Sequence, residues 1–356
     1  MLASAPLPVV IAVFAGAAAA VWFAGIKLSD TADVLSMRLG LGEALGGLIL
    51  LAISTNLPEI AITASAALAH HLGIAIGNIL GGIAIQTVVL VLVDAFGLGR
   101  RSSLSYQAAS LLLVLEGGLV IAVLVVAVMG TQLPGSLTRA RVEPASVLIV
   151  VLWLLGLWLL SRARSGLPWH ESGVAPDGQE HPRGHARRMK AKQADERKVS
   201  SLRAGLVFAA AALVTLAGGV ALERSGERIA AHVHMSGVLF GATVLAAATS
   251  LPELSTGLAS AKLGDYQLAV SDIFGGNAFL PVLFLMASLL SGSAVLPQAQ
   301  RTDIYLTALG VLLTVVYIVG LIFRPRRVVL RMGLDSLAVL ILYAVGLIGL
   351  IAIARG

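Results

Sequence analysis

The chain has 356 residues, of which 58% are hydrophobic and only 12% are charged, with a net charge of +6 and a mean hydropathy of +0.93. Soluble domains are about one quarter charged, and a single core could not bury this much apolar surface. The composition therefore excludes a soluble domain, a disordered chain and a fibrous protein, and it indicates a polytopic membrane protein. The sequence contains no cysteine, which excludes disulfides, thiolate metal sites and thiol catalysis.

Ten apolar runs are long enough to cross a bilayer, and they predict an all-α fold with ten transmembrane helices. In chain order they cover residues 8–28, 42–69, 72–96, 104–129, 145–161, 205–222, 235–260, 267–290, 303–323 and 332–353. No Lys or Arg precedes the first run. Because a signal peptide would begin with basic residues, the first run is expected to be a retained helix.

The Lys and Arg residues are distributed unevenly between the loops on the two sides of the membrane. If the N-terminus lies outside, 19 of the 25 fall in inner loops and six in outer loops. Because inner loops carry the excess of Lys and Arg, we expect an N-terminus outside and a central loop in the cytoplasm. The expected location is the cell membrane (inner or plasma membrane), which the chain crosses many times.

The central loop divides the chain into two halves of similar length. Residues 1–160 form the first five-helix half, residues 161–204 the loop and residues 205–356 the second half. The loop is rich in Arg, Lys, Glu, Gly and Pro, which is typical of a solvated linker, although its charge would also suit anionic lipids or a regulatory ligand. Membrane orientation explains the net positive charge, and no nucleic-acid partner is predicted.

The two halves share a motif at a constant offset of 194 residues. Residues 55–59 read Thr-Asn-Leu-Pro-Glu and residues 249–253 read Thr-Ser-Leu-Pro-Glu, and the same offset relates Asn78 to Asp272. A second match at a fixed spacing indicates an internal repeat. Because the copies lie five predicted helices apart, they cross the membrane in opposite directions. Such inverted repeats are typical of secondary transporters, whose substrate site lies near the midplane between the halves.

Each repeat places a glutamate, Glu59 or Glu253, directly after a proline in the middle of a predicted helix. A carboxylate in hydrocarbon is costly, so each must face a cavity or a partner. Proline lacks an N–H and displaces the carbonyl four residues earlier, so both helices are expected to kink and to release carbonyls. Thr55 and Thr249 lie one turn earlier on the same face as the glutamates.

Asn78 and Asp272 follow the glutamates by 19 residues and are flanked by glycines that permit close helix contact. Together these residues predict an all-oxygen cluster, which suits Ca²⁺ with its six to eight oxygen ligands. Na⁺ would fit the same oxygens, whereas zinc or copper would be expected to recruit His or Cys. Because three carboxylates around one divalent ion leave excess charge, Asp272 is expected to take a proton in some states.

At these residues the chain resembles the cation/calcium exchanger superfamily, especially its sodium/calcium exchanger branch. The resemblance is carried by the two Leu-Pro-Glu motifs, by residues 77–82 (Gly-Asn-Ile-Leu-Gly-Gly) and by residues 272–277 (Asp-Ile-Phe-Gly-Gly-Asn). It implies a secondary active antiporter that exchanges Ca²⁺ for Na⁺ by alternating access and uses no cofactor. In the family, helices one and six slide across the other eight, and Gly25 and Gly219 would suit that sliding.

The resemblance also implies a set of ion ligands. Glu59 and Glu253 would be the central ligands, and Asn78 and Asp272 would complete the central site. The remaining positions lie in the two kinks and comprise the backbone carbonyls of Thr55 and Thr249, the sodium-binding carbonyls of Ala52 and Ala246, and the positions Asn56, where serine is usual, and Ser250.

The counter-ion is less clearly indicated than the site. The family's sodium-coordinating serines, one turn before the polar residues of helices three and eight, are replaced by Ile74 and Leu268. The loss of both hydroxyls weakens the flanking sodium sites, so a proton-coupled antiporter (Ca²⁺/H⁺ or Na⁺/H⁺) is a second hypothesis. Leu-Pro-Glu is not typical of the proton-coupled branch, which keeps sodium/calcium exchange ahead.

Two other functional classes fit the sequence less well. An intramembrane enzyme would need a catalytic motif, and the sequence contains no Gly-x-Gly-Asp, His-Glu-x-x-His or Gly-x-Ser-x-Gly, so the protein is not expected to be an enzyme. A cation channel fits the inverted repeat and its proline breaks less well than a transporter does.

Several acidic residues lie outside the motifs. Glu116 is expected to be hydrogen-bonded within the bundle or at an oligomer contact, with a proton-carrying or selectivity role as the alternative. Asp94 and Asp335 lie near predicted helix ends, where solvation at the interface is the simplest explanation, and Glu223 and Glu227 are expected to be mostly surface charge.

Overall fold

The computed structural model describes residues 5–38, 52–98, 102–108, 110–137, 141–164, 166 and 200–355. Most of the predicted central loop and the start of the second predicted helix, residues 39–51, lie outside the described residues. The described part is almost entirely helical.

In the described part of the first half, seven α-helices follow one another along the chain. They are α1 (Leu7–Arg38), α2 (Ala52–Thr55), α3 (Leu57–Leu68), α4 (Leu72–Gly97), α5 (Leu104–Ala108), α6 (Leu111–Thr131) and α7 (Pro144–Arg164), with a short 3₁₀ turn at Gly135–Leu137.

The described second half, residues 200–355, contains eight α-helices and one small β-hairpin. They are α8 (Ser201–His232), α9 (Gly237–Phe240), α10 (Ala246–Thr249), α11 (Leu251–Leu263), α12 (Tyr266–Phe279), α13 (Leu283–Ser291), α14 (Arg301–Phe323) and α15 (Leu334–Arg355). A π-helical turn, Gly241–Leu245, joins α9 to α10, and 3₁₀ turns lie at Leu280–Val282 and Leu296–Gln298. The antiparallel strands β1 (Val328–Val329) and β2 (Met332–Gly333) precede α15.

The ten-helix all-α architecture is confirmed. Eight spans of the described chain are long and apolar enough to cross a membrane, and the bent pair Gly237–Thr249 with Leu251–Lys262 makes a ninth. The shorter apolar helix α3 occupies the described end of the second predicted span. The predicted fourth span is interrupted before Ser110, whose side chain accepts a hydrogen bond from the Leu112 N–H at 3.2 Å and caps α6.

Helices α1 and α8 each continue ten residues past the end of their predicted apolar runs, to Arg38 and His232. The prediction was too short because it ended each helix at its first charged residues, such as Lys27 and Glu223. Instead, α1 and α8 pack side by side and continue past those residues. Lys27 and Asp30 form an exposed ion pair at 3.7 Å where α1 passes the end of its predicted run.

The buried apolar side chains of the described residues form one large core and two small ones. The large core is built mainly from α4, α6 and α12 to α15, and no described residue of α1 or α8 belongs to it. The small cores join α1 and α8 to the face of α3 and α4, for example through Val21, Leu222 and Ile62. The pair α1–α8 is therefore a separate layer that lies against the rest of the bundle.

Reciprocal glycine–proline contacts demonstrate the inverted repeat in three dimensions. A Cβ placed on Gly25 of α1 would lie 2.7 Å from the Cβ of Pro252. A Cβ placed on Gly219 of α8 would lie 3.0 Å from the carbonyl oxygen of Pro58. Both pairs of equivalent residues are 194 positions apart. Each of α1 and α8 therefore contacts the Pro-Glu motif of the opposite half at an equivalent glycine, although Gly25 meets the ring of Pro252 and Gly219 meets the carbonyl oxygen of Pro58.

Other contacts lie close to the axis that relates the halves. The Asn277 side chain donates hydrogen bonds to the Thr87 hydroxyl at 3.2 Å and to the Ile83 carbonyl at 3.4 Å. Ile83 and Asn277 are themselves equivalent positions, 194 residues apart. The two halves thus contact each other through equivalent positions of the repeat, as residues close to a twofold axis do.

We expect Asn277→Leu to weaken this junction measurably. The substitution keeps the side-chain volume but removes both donors, and hydrogen bonds between membrane helices contribute about 1 kcal/mol. Thermal unfolding in detergent should show a midpoint about 2 °C lower, whereas Gln132→Ala, which removes an exposed hydrogen bond on α6, should leave it unchanged. Equal midpoints for Asn277→Leu and wild type would contradict a stabilising role.

Candidate cation site

Both Pro-Glu motifs break their helices in the same way. Asn56 separates α2 from α3 with φ −88° and ψ 11°, and Ser250 separates α10 from α11 with φ −80° and ψ 4°. The second broken helix bends by 43°. The predicted kinks are confirmed, and the break falls two residues before each proline, so the proline becomes the second residue of a new helix.

The breaks follow from the chemistry of proline. Pro58 and Pro252 cannot donate to the carbonyls of Ser54 and Ala248, which are therefore released from the helical ladder. Hydrogen bonding resumes immediately, because Ile60 N–H donates to the Asn56 carbonyl at 3.0 Å and Leu254 N–H to the Ser250 carbonyl at 3.1 Å. Each glutamate consequently lies in the first turn of a helix, where the amide dipoles favour negative charge.

Glu59 and Glu253 are buried, with 0% and 2% of their surface exposed. Within the described part of the chain, neither carboxylate accepts a hydrogen bond of normal geometry. The Thr249 hydroxyl lies beside Glu59, but it donates to the Ala246 carbonyl at 3.2 Å. Glu253 is within electrostatic range of both Glu59 and Asp272. The structure thus brings two under-satisfied acids together, one from each half.

Asn78 and Asp272 lie in the helices that face the breaks. Asn78 on α4 is fully buried, and no described residue hydrogen-bonds its amide group. Asp272 on α12 is nearly buried and accepts a hydrogen bond from the Thr256 hydroxyl at 2.8 Å. Among the described residues, no three His, Cys, Asp or Glu side chains gather closely enough to form a metal cluster. A Ca²⁺ ion held there would need further oxygen ligands besides the carboxylates, such as amide, hydroxyl, carbonyl or water oxygens.

The other predicted site residues lie within the two breaks. Thr55, Asn56, Thr249 and Ser250 are all buried. The Ala246 carbonyl accepts hydrogen bonds from the Ser250 N–H at 3.0 Å, the Ser250 hydroxyl at 2.8 Å and the Thr249 hydroxyl at 3.2 Å. Its counterpart Ala52 begins α2. The predicted residues are thus placed together, whereas their roles as ion ligands stay predictions.

Gln86 is a neighbour of the site that the sequence analysis missed. It is fully buried on α4, and no described residue hydrogen-bonds its amide group. A Cβ placed on Gly276 would lie 3.3 Å from Gln86 Oε1 and 3.2 Å from Asn56 Nδ2. A single glutamine in the apolar run of α4, two turns after Asn78 on the same face, was the available signal.

The acidic residues outside the motifs are more buried than expected. Glu116 accepts a hydrogen bond from the Ser271 hydroxyl at 2.9 Å, which confirms bonding within the bundle. Asp94 and Asp335 are 0% and 7% exposed, so solvation at the interface is the wrong explanation for them. Glu223 is also buried, at 1% exposed.

Glu223 on α8 links the α1–α8 layer to the rest of the bundle. It accepts a hydrogen bond from the Ser65 hydroxyl at 2.9 Å and contacts His71 Nδ1 at 3.0 Å, while Glu227 contacts His71 Nε2 at 3.1 Å. The prediction that Glu223 is surface charge was wrong, because α8 continues past this residue and packs on α3.

An inverted ten-helix repeat with a broken helix and a buried acid in each half defines a class of protein, the secondary membrane transporters. The sequence profile of the family described as Sodium/calcium exchanger protein matches residues 9–168 and 203–352. The chain therefore belongs to this family. Its members are membrane cation exchangers and not enzymes.

One relative and two solved structures extend the comparison. Inner membrane protein YrbG of Escherichia coli (strain K12) is 25% identical over 280 residues, which is 78% of each chain. The H⁺/Ca²⁺ exchanger CAX superposes with a TM-score of 0.64 at 13% identity, covering 97% of this chain and 87% of that one. The sodium-calcium exchanger NCX_Mj superposes with a TM-score of 0.61 at 17% identity, covering 96% and 99%. The two structures share the fold and differ in counter-ion.

Proposed function

We propose that this antiporter exchanges Ca²⁺ for Na⁺ and that Glu59 and Glu253 are the central ligands of the transported ion. The observation that carries the proposal is the meeting of these two buried carboxylates, one from each half, without normal hydrogen bonds from described residues. Two adjacent buried carboxylates repel each other and have lost their hydration. A cation between them would relieve both costs.

The proposed coordination uses oxygen alone. Two carboxylates supply up to four ligands, and Ca²⁺ takes six to eight. The remainder would come from the Asn78 side chain and from carbonyls at the breaks, where Thr55 and Thr249 are placed. Ala52, Ala246, Asn56 and Ser250 would serve the flanking Na⁺ positions. Asp272, which accepts a hydrogen bond from Thr256 and lies within electrostatic range of Glu253, would complete the central site and take a proton in some states.

The coupling of the two fluxes follows from the same charges. A site with two bare buried carboxylates is costly to move across the membrane, whereas a site neutralised by one Ca²⁺ or by monovalent cations is not. Reorientation would therefore occur only with ions bound. The cycle uses only the transported ions and needs no cofactor.

Alternating access is proposed to be a sliding of α1 and α8 over the other helices. The separate small cores of this layer support the proposal, as do the contacts of Gly25 and Gly219 with the two prolines. Movement of the layer would change access to the glutamates that follow those prolines. The distribution of Lys and Arg supports an N-terminus outside, a cytoplasmic central loop, and a location in the inner or plasma membrane.

Proton coupling is the second candidate, and two positions favour it. Ile74 packs into the small core beside Gly237, where a Cβ on the glycine would lie 3.1 Å from its Cγ1. Leu268 is 42% exposed. Neither side chain offers an oxygen to a flanking Na⁺, and a proton would need none.

Calcium flux under imposed gradients tests the counter-ion. Proteoliposomes loaded with Na⁺ and diluted into choline medium should take up ⁴⁵Ca²⁺, because outward Na⁺ flux drives the exchange. A pH gradient of equal driving force without Na⁺ should give less than about one tenth of that uptake if Na⁺ is the counter-ion. Uptake that follows the proton gradient and ignores Na⁺ would assign proton coupling instead.

A further inference from the structure

One histidine joins the α1–α8 layer to the rest of the bundle through two acidic side chains. His71 lies between α3 and α4 and is partly exposed. Its Nδ1 is 3.0 Å from Glu223 Oε1, and its Nε2 is 3.1 Å from Glu227 Oε1. Both glutamates belong to α8, where they lie one turn apart on the same face. The imidazole ring therefore contacts a carboxylate with each of its two nitrogens.

This geometry suits the protonated form of the ring. A neutral imidazole carries a proton on one nitrogen and presents a lone pair on the other. A lone pair so close to a carboxylate oxygen is repelled, whereas the imidazolium ion attracts the oxygens on both sides. Because histidine changes its charge between about pH 5 and pH 8, the two attractive contacts of His71 can be gained and lost in that range.

Glu223 is the buried partner of this bridge. Its second oxygen accepts a hydrogen bond from the Ser65 hydroxyl of α3 at 2.9 Å. A buried carboxylate is costly unless its charge is paired, so a proton on His71 favours the position in which α8 lies against α3. Glu227 is half exposed and contributes less, because solvent screens its charge.

The elements that pack at this end bring few other charges. Residues 5–26 of α1, residues 72–78 of α4 and residues 235–240 around α9 contain no charged or titratable side chain. The remaining titratable or charged side chains of this end are exposed, apart from the half-buried Arg228, and comprise His70, Arg224, Arg228, His232 and His234. Within the described part of the chain, the ion pairs of His71 are those with Glu223 and Glu227.

The equivalent end of α1 is built without this bridge. At the repeat offset, Asp265 stands at the position of His71, and Ser29 stands at the position of Glu223. Asp265 caps its own helix, α12, by accepting a hydrogen bond from the Leu268 N–H at 3.1 Å. Packing of α1 or α8 on a Pro-Glu helix therefore does not require a histidine–glutamate pair, and the bridge makes the two ends of the layer different.

We propose that His71 is an acid-dependent lock on the movement of α8. While His71 is protonated, α8 cannot slide without separating an ion pair whose carboxylate is buried. When His71 loses its proton, that tie is lost and α8 moves freely. Exchange is therefore slowed in acid and released as the pH rises, at a step other than ion binding. The inference rests on the proposed sliding of α1 and α8, and it adds a regulation of that movement by pH.

The rate of exchange at saturating Ca²⁺ tests the lock, because protonation of Glu59 or Glu253 would lower the affinity for Ca²⁺ instead. His71→Asn keeps a neutral donor and removes the charge. Its rate should exceed the wild-type rate about tenfold at pH 6, as expected for the loss of one charged hydrogen bond, and should match it at pH 8. His70→Asn is the matched control, because His70 is exposed and asparagine tolerates its positive φ of 60°.

A second variant ties the effect to the contact itself. Glu223→Gln should raise the rate at pH 6 as His71→Asn does, and the combined variant should show no further increase, because both changes remove the same interaction. If Glu223→Gln folds poorly, Glu227→Gln changes a half-exposed side chain and should give a smaller increase in the same direction.

Thermal unfolding in detergent supplies a readout without transport. The ion pair stabilises the folded protein only while His71 is charged, so this contribution is present in acid and is lost as the pH rises. The wild-type midpoint should exceed that of His71→Asn by about 3 °C at pH 6 and by less than about 1 °C at pH 8.

Three results would overturn the lock. One is a ratio of the His71→Asn rate to the wild-type rate that is the same at pH 6 and pH 8, and another is an equal effect of His70→Asn. The third is a pH-dependent difference in midpoint without a difference in rate, which would show a contact that does not limit movement. The ratio is measured under whichever ion gradient drives uptake, so reassignment of the counter-ion leaves this test intact.

Discussion

Glu253→Gln and Glu59→Gln should each reduce Ca²⁺ exchange at least about 100-fold, because each removes one of two charges from a site whose divalent-ion affinity depends on ligand charge. Glutamine keeps the shape of the side chain, so the helix breaks at Asn56 and Ser250 should persist. The measurement is initial ⁴⁵Ca²⁺ uptake by proteoliposomes at matched protein density. The two variants should be equally impaired, since the repeat places the two acids equivalently.

Glu116→Gln is the matched control for this pair. Glu116 is also a buried glutamate, but it lies on α6 and accepts a hydrogen bond from Ser271, which a glutamine oxygen can also accept. Exchange should stay within about threefold of wild type, because no charge is lost from the central site. Normal uptake by Glu59→Gln or Glu253→Gln would contradict the proposed site.

Gly25→Ala should slow exchange about tenfold while leaving Ca²⁺ affinity within about twofold of wild type, because sliding contacts tolerate little added volume. A methyl group at this position would lie 2.7 Å from Pro252 Cβ, and the proline ring cannot move aside without changing the helix break. The substitution therefore acts on the movement of α1 across the second Pro-Glu motif and not on the ligands. Turnover from ⁴⁵Ca²⁺ counterflow and affinity from equilibrium binding separate the two effects.

Gly16→Ala controls for the loss of a glycine in the same helix. Gly16 has no atom within 4 Å of the position that its Cβ would occupy, so exchange should be unchanged. If Gly25→Ala exchanged at the wild-type rate, or if Gly16→Ala were equally slow, sliding of α1 over Pro252 would not be the step that limits transport.

Local chemistry made the helices and their breaks predictable. Apolar length predicted the spans, and Pro58 and Pro252 predicted kinks because each removes a donor and crowds the preceding turn. A fixed offset between two motifs predicted the inverted repeat, since chain direction follows from the number of spans between copies. The spans and the kinks need only the sequence near each residue and the thickness of a bilayer, and the repeat needs only a comparison of the sequence with itself.

Contacts between distant segments could not be predicted in the same way. Asp94 is buried because α5 and the β-hairpin close over it, and neither element has a strong sequence signal. Glu223 is buried because α8 continues past the apolar run and meets Ser65 and His71. Gln86 was overlooked because one polar residue in an apolar helix does not reveal which side chains face it.

Crystals soaked in Ca²⁺ or Sr²⁺ would test the central claim most directly through anomalous diffraction. The account predicts one strong peak between the carboxylates of Glu59 and Glu253, within about 2.3–2.6 Å of an oxygen from each for Ca²⁺. The Glu253→Gln protein should lose that peak. A transported ion found elsewhere in the bundle, or bound to only one of the two glutamates, would contradict a site built jointly by the inverted halves.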